Sequence, residues 1–221
     1  MKDNRFKKVL AAGGVPVGHM IWEFPTRGMA KVLEATGVDF VVIDMEHTPF
    51  DTETVADMIA WLKATDIAPF VRVPQRLYHF LARIMDAGAL GVMVANVEDV
   101  DEARSIVNAV KFAPLGNRGL GLGGAHNDFL GVDPIAYFQR SNENTTVICQ
   151  IESVKGLANA EAIANVAGVD VIWIGHMDLT NSMGIVGQFD NPRFAEACRS
   201  VVESANNAGK LAAIQPGSVE Q

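Results

Sequence analysis

VICQIE, residues 147–152, is the run whose reading decides the fold. Val147, Ile148, Cys149 and Ile151 are apolar with no alternation, the pattern of a strand covered on both faces, as in a parallel sheet. Glu152 arrives where such a strand stops, and no lysine or arginine follows until Lys155. A carboxylate in that place needs a partner, because burying an uncompensated charge costs several kcal/mol.

Working outward, runs of the same kind recur at 16–22 (PVGHMIW), 40–45 (FVVIDM), 69–73 (PFVRV), 91–96 (GVMVAN), 170–175 (DVIWIG) and 211–215 (LAAIQ). Helical periodicity fills most of the intervals, as in TVADMIAWLKATD (54–66), LYHFLARIMDAG (77–88), EDVDEARSIVNAVK (98–111), GLANAEAIANVAG (156–168) and RFAEACRSVVESANNAG (193–209). Several of these close on Gly, the residue that caps a helix in the left-handed conformation. The rhythm predicts the α/β class with a parallel sheet, most simply a TIM (β/α)8 barrel, with a doubly wound sheet as the rival. Residues 112–146 are Gly-rich and then weakly helical, and read as a long excursion over one face of the barrel. No internal repeat or linker divides the chain, so 1–221 reads as a single domain. Seven strands leave a closed barrel one strand and one helix short, since only PGSVEQ follows LAAIQ; the open edge between the first and seventh strands then needs another cover.

Composition narrows the function. A chain of 221 residues that is 49% hydrophobic buries a substantial core. Its net charge of −8 argues against nucleic acid or an anionic membrane as partner, because phosphate binding needs clustered Lys and Arg. No apolar stretch has the length of a signal peptide core or a membrane span, which predicts a cytoplasmic protein. Cys149 falls in a strand and Cys198 in a helix, so two reduced thiols are expected rather than a disulfide. The remaining partner class is a small molecule.

In a barrel the reacting groups gather at the carboxyl ends of the strands. The candidates are Asp44, Glu46 and His47 of FVVIDMEH, Arg72 of PFVRV, Gln150 and Glu152 of VICQIE, His176 and Asp178 of VIWIGHMD, and Asp86 of IMDAG before the fourth strand. Glu152 and Asp178 close consecutive parallel strands, which lie roughly 4.8 Å apart, so both carboxylates are expected to reach one cation. Oxygen ligands of this kind suit Mg2+ or Mn2+. The plainer reading is that Glu152 caps the next helix and Asp178 caps the turn DLTNS. Arg72 reads as a fork that holds an oxyanion, or as a structural partner of Asp44 or Glu46. His47 reads as a proton carrier or as a satisfied loop histidine. His19, His79 and His126 lack such a setting and read as surface or packing residues. GNRGLGLGG lacks the preceding strand and the GK[ST] ending of a phosphate loop and reads as a mobile lid.

Taken together, IDMEHTPFD, FVRVP, MDAGALGVMVANVE, GNRGLG, QIES and IGHMDLTNSMGIVG resemble the HpcH/HpaI aldolase family, metal-dependent class II aldolases acting on pyruvate-derived 2-keto acids. The match runs through almost the whole chain in order. It implies a TIM barrel of the phosphoenolpyruvate/pyruvate type, assembled as a homo-oligomer, commonly a hexamer that exchanges the last helix. It also implies a divalent cofactor, Mg2+ or Mn2+ with Co2+ also fitting, held by Glu152 and Asp178. Gln150 and the backbone near Met177 and Asp178 would contact the keto acid. Arg72 matches the arginine that stabilises the enolate, His47 the residue of proton transfer, and Asp86 an acid that raises the basicity of that histidine across a subunit boundary. Asp44 is a further acidic neighbour. The implied reaction is reversible cleavage of a 4-hydroxy-2-keto acid to pyruvate and an aldehyde through a metal-stabilised pyruvate enolate. No lysine stands at a strand's carboxyl end, which argues against Schiff-base catalysis. Two alternatives stay open: a citrate-lyase-like or malyl-CoA-type lyase, and a non-catalytic paralogue that binds metal and keto acid. The chain departs from the family at His176, where a Pro or small residue is usual, and at KFAPL (111–115), where a tyrosine and paired prolines are common.

Overall fold

The computed structural model describes residues 1–216. Predominantly apolar runs become strands buried at every position: Phe40–Asp44 (β2), Ala68–Val73 (β3), Gly91–Val94 (β4) and Thr146–Ile151 (β5). With Gly18–Ile21 (β1), Val171–Ile174 (β6) and Leu211–Ile214 (β7) they form one seven-stranded sheet whose order follows the chain. The pairs β1–β2, β2–β3, β5–β6 and β6–β7 are parallel. Such an unreversed order belongs to the (β/α) barrel and not to the doubly wound rival, whose strand order turns back at a switch point. Among the described residues there is no eighth strand, and residues 217–221, on which that question also fell, lie outside them.

Contacts group the chain into two compact units, Met1–Met93 with Asn108–Thr146, and Val94–Val107 with Val147–Gln221. In the first, the sequence reading missed helix Arg5–Ala11 (α1) and helix Met29–Thr36 (α2). The first of these is short and is held by one buried ring, Phe6, which packs edge-on against Phe40 at 5.2 Å and Phe70 at 5.3 Å. Gly91 makes room for that cluster, since a Cβ there would lie 2.7 Å from the Phe70 ring. Thr52–Leu62 (α3) starts on Asp51, whose carboxylate accepts from the Thr54 N–H, and Tyr78–Ala87 (α4) ends on Gly88 at φ 105°.

The excursion at 112–146 also belongs to the first unit, and it is not a free lid. Lys111, fully buried, donates from Nζ to the carbonyls of Asn142 (2.8 Å) and Thr145 (2.7 Å). The Asn142 side chain accepts from Phe112 N at 2.8 Å and donates to Phe112 O at 2.9 Å. These bonds fasten the two ends of the excursion together. Between them, helix Pro134–Asn144 (α6) is capped by Asp133, and His126, read as a surface or packing residue, is a packing one: it is buried, with Nδ1 2.5 Å from the Tyr137 hydroxyl. Within GNRGLGLGG, the stretch read as a lid, Gly116 and Arg118 are buried and residues 119–123 are exposed.

In the second unit, helix Val100–Val110 (α5) begins, and Val154–Ala158 (α7) and Ala160–Ala164 (α8) replace the single helix expected over 156–168. Asn159 separates them, its side chain donating to the carbonyls of Glu98 and Lys155, the local competition that makes Asn a poor helix interior. Residues His176–Ser182 form α9 where a turn was expected, and Pro192–Asn207 (α10), with Pro at its first position and Asn191 as cap, packs on α8 and β7. No helix among the described residues is long and apolar enough to cross a membrane.

Cys149 sits in the middle of β5 with no exposed surface, and burial pushes its thiol up to about 12. A thiolate is the reactive form, so a thiol reagent at pH 8 is expected to leave Cys149 unmodified in the folded protein and to label it only as the chain unfolds. Peptide mapping after alkylation, with and without denaturant, checks this.

Candidate active site

In the first unit the parallel register sets Asp44 beside Arg72 on adjacent strands, with both side chains on the same face of the pleat. Asp44 is wholly buried and Arg72 nearly so. Arg72 Nε donates to Asp44 Oδ1 at 2.8 Å and Nη2 to Asp44 Oδ2 at 2.7 Å, and Glu46 Oε2 lies 3.2 Å from the same Nε. The structural ion pair weighed for Arg72 is therefore formed, with both acids. A guanidinium cannot lose its charge on burial, so a bidentate carboxylate both compensates it and fixes its plane. That is what a preorganised oxyanion partner requires. Met45 N also donates to Arg72 O at 2.9 Å, which ties the two strand ends together.

His47 follows on the exposed side, with Nε2 3.8 Å from Glu46 Oε2. Glu46, to which the sequence reading gave no role of its own, thus stands by both Arg72 and His47. The signal available was its place between two candidates in DMEH. Asp86 is not at a strand end: it occupies the last turn of α4, half exposed, and its Oδ1 accepts from Arg118 Nη2 at 2.5 Å. Among the described residues Asp86 makes no contact with the His47 of its own chain. Arg118 escaped the sequence reading because it stands in a Gly-rich segment that looked like a loop.

In the second unit Gln150 and Glu152 are two residues apart and share a face of the strand direction. Both are buried. Glu152 Oε1 accepts from Gln150 Nε2 at 2.7 Å, and Oε2 accepts from the Asn96 N–H at 2.7 Å. A carboxylate only accepts, so this bond fixes which way the Gln150 amide faces and leaves its Oε1 as the outer atom. That oxygen is buried with no hydrogen-bond partner among the described residues. Gly175 follows β6 one step past the Ile151–Ile174 pair and is therefore the cross-strand neighbour of Glu152. A Cβ on Gly175 would lie 2.3 Å from Glu152 Oε1 and 2.8 Å from Gln150 Nε2. Its backbone φ of −88° suits any residue, so glycine serves here for space.

The plainer reading of both acids fails. Ser153, not Glu152, caps α7 by accepting from the Gly156 N–H, and α9 starts from Gly175 with Asp178 inside its first turn. This also corrects the expectation that Asp178 closes a strand: β6 stops at Ile174, and Asp178 lies exposed four residues later, beside exposed Met177. His176 packs its ring against Phe189 at 5.2 Å, and burial lowers its pKa although Asp178 opposes this. Among the described residues no three His, Cys, Asp or Glu side chains gather into a ligand set. At Glu152 the structure brings together a buried carboxylate and the orphaned amide oxygen of Gln150; Asp178, on α9, would add a third oxygen donor. Such a set fits a hard divalent ion that completes its shell with water or substrate oxygens.

The notch at Gly175 makes a direct prediction. Gly175→Ala is expected to displace the Glu152 carboxylate and weaken Mn2+ binding by about 100-fold, as loss of ligand support does elsewhere, with little change in thermal stability. Calorimetric titration with Mn2+ checks it, and an unaltered Kd would contradict the role given to Glu152.

The family model for HpcH/HpaI aldolase/citrate lyase matches residues 24–215. The 5-keto-4-deoxy-D-glucarate aldolase of Enterobacter sp. (strain 638) is 35% identical over 212 residues, 96% of this chain and 81% of that protein. Among solved structures, an HpcH/HpaI aldolase from Desulfitobacterium hafniense DCB-2 superposes with a TM-score of 0.93 at 29% identity, over 97% of this chain and 83% of that one. The citrate synthase SbnG superposes with a TM-score of 0.87 at 31% identity, over 98% of this chain and 83% of that one. These likenesses carry the barrel class together with the strand order already described. Since they span nearly the full length of the sequence, the chain belongs to the HpcH/HpaI aldolase/citrate lyase family and is a class II aldolase, a carbon–carbon lyase of small molecules.

Proposed function

We propose that this aldolase, working as one cytoplasmic domain over 1–221, reversibly cleaves a 4-hydroxy-2-keto acid to pyruvate and an aldehyde, with Mg2+ or Mn2+ as cofactor. The observation that carries the reading is the buried Glu152 carboxylate, clamped by Gln150 and the Asn96 N–H, with Gly175 keeping the space beside it clear. Nothing in local helix capping accounts for that carboxylate, since Ser153 caps the helix that follows. Glu152 and Asp178 would hold the ion, which when bound supplies a Lewis acid to the 2-oxo group and an offset for enolate charge.

The remaining work falls to side chains. Gln150 and the backbone near Met177 and Asp178 orient the keto acid. Breaking the C3–C4 bond leaves its electron pair on the pyruvate fragment as an enolate, whose charge the locked Arg72 guanidinium offsets without moving. His47 takes the proton of the C4 hydroxyl as that carbon becomes the aldehyde, and returns it in the aldol direction. The enolate carbon takes up a proton to give pyruvate. Asp86 supports the His47 of a neighbouring copy in a homo-oligomer, an arrangement compatible with its having no contact with His47 of its own chain.

The curated relatives make 5-keto-4-deoxy-D-glucarate the first substrate to try, within a panel of 4-hydroxy-2-keto acids of different chain length and charge. Likeness to a citrate synthase recommends running the panel in the addition direction as well. Pyruvate release, coupled to lactate dehydrogenase, is expected to require a divalent ion and to vanish after thorough chelation. His47→Asn is expected to lower kcat by about 100-fold or more, and Arg72→Met by about 100- to 1000-fold. Activity that survives metal removal, or that is unchanged in both variants, overturns the proposal.

A further inference from the structure

We infer that Arg118 is a positioning residue of this aldolase that acts through Asp86, an inference that rests on the role proposed above for Asp86. The Arg118 side chain is 1% exposed. Its guanidinium lies 4.7 Å above the centroid of the Phe112 ring, and its backbone N–H is bonded to Lys111 O at 3.0 Å. The side chain is thus anchored to the segment that Lys111 and Asn142 fasten down. From there Nη2 reaches Asp86 Oδ1 at 2.5 Å, while Nε is buried with no hydrogen-bond partner.

Stability alone does not explain this arrangement. A buried guanidinium with an unmet donor is costly, and apolar side chains of similar volume commonly replace buried ion pairs without loss. Nor does α4 gain from the acid, because Asp86 stands in its last turn, the negative end of the helix dipole, where a carboxylate is disfavoured. The pair is also lopsided. The cation is sealed in, whereas Asp86 is 49% exposed and its Oδ2 has no partner among the described residues. A fixed cation holding one oxygen of a half-exposed carboxylate sets the rotamer of that carboxylate and leaves its second oxygen available to a group outside the chain. Under the proposed function, that group is the proton-carrying histidine of a second copy. Tight positioning matters there, because misplacing a reacting group by about 1 Å costs on the order of 100-fold in rate.

The test is a double-mutant cycle on the assembled enzyme, with Arg118→Met, Asp86→Asn and the pair, read as kcat and KM in the pyruvate-coupled assay alongside thermal melting. The expected result for Arg118→Met is a fall in kcat of about 10- to 100-fold with KM within about twofold. In the Asp86→Asn background the same change is expected to cost less than about twofold. If Arg118→Met does not fold, Arg118→Lys, which keeps the charge but loses the fixed fork, takes its place in the cycle. An equal loss in both backgrounds, or a change confined to KM or melting temperature, overturns the inference and leaves Asp86 catalytic support standing. Full activity in Asp86→Asn removes the Asp86 reading itself, and the inference with it.

Discussion

A charge at the end of a buried strand has to be met within a few ångströms by something that cannot move away, and in each unit this constraint arranges the residues around it. In the first unit it is met by charge: Asp44 and Arg72 are register partners in adjacent parallel strands, and Glu46 adds a second carboxylate to the same guanidinium. In the second an amide and a backbone N–H hold Glu152, and a glycine replaces what would otherwise be a clash. The two solutions have different chemical consequences. Arg72 is gripped by carboxylates, whereas Glu152 is gripped by a side-chain amide and a backbone N–H.

The excursion at 112–146 extends the same logic beyond the strand ends. Its boundary is a buried lysine bonded to carbonyls 31 and 34 residues away in sequence, reinforced by an asparagine that pairs with Phe112 through both amide atoms. What looks like a flexible Gly-rich connection has buried polar anchors at both ends and the His126–Tyr137 contact inside. Such anchoring turns a loop into a platform. Arg118 stands on that platform and reaches Asp86, an acid on a different element.

Much of the fold was legible because burial on both faces leaves a one-dimensional signature: uninterrupted apolar runs at β2, β3 and β5, separated by helical periodicity. Glu152 was legible for the same reason, as a charge in the wrong company. Features that depend on competition were less so. The break at Asn159 comes from a side chain reaching the Glu98 carbonyl, 61 residues earlier, and α1 exists because one phenylalanine finds two others. Asp178 was misplaced by its element, since HMDLTNS forms a helix that carries the acid past the strand end.

Local pattern and residue chemistry by themselves determined the α/β class, the parallel strands, the net acidic character, and the short set of strand-end residues worth naming. They did so because hydrophobic periodicity and unpaired charge are properties of neighbours along the chain. Only the tertiary structure decided that Gly175 is a spacer for Glu152, that the Gln150 amide oxygen is buried without a hydrogen bond among the described residues, that Glu46 stands by both Arg72 and His47, and that Arg118 is buried against Phe112 and bonded to Asp86. Each of these depends on which atom of a distant residue occupies the next few ångströms, and steric exclusion and hydrogen-bond direction act through space, where sequence separation carries no information.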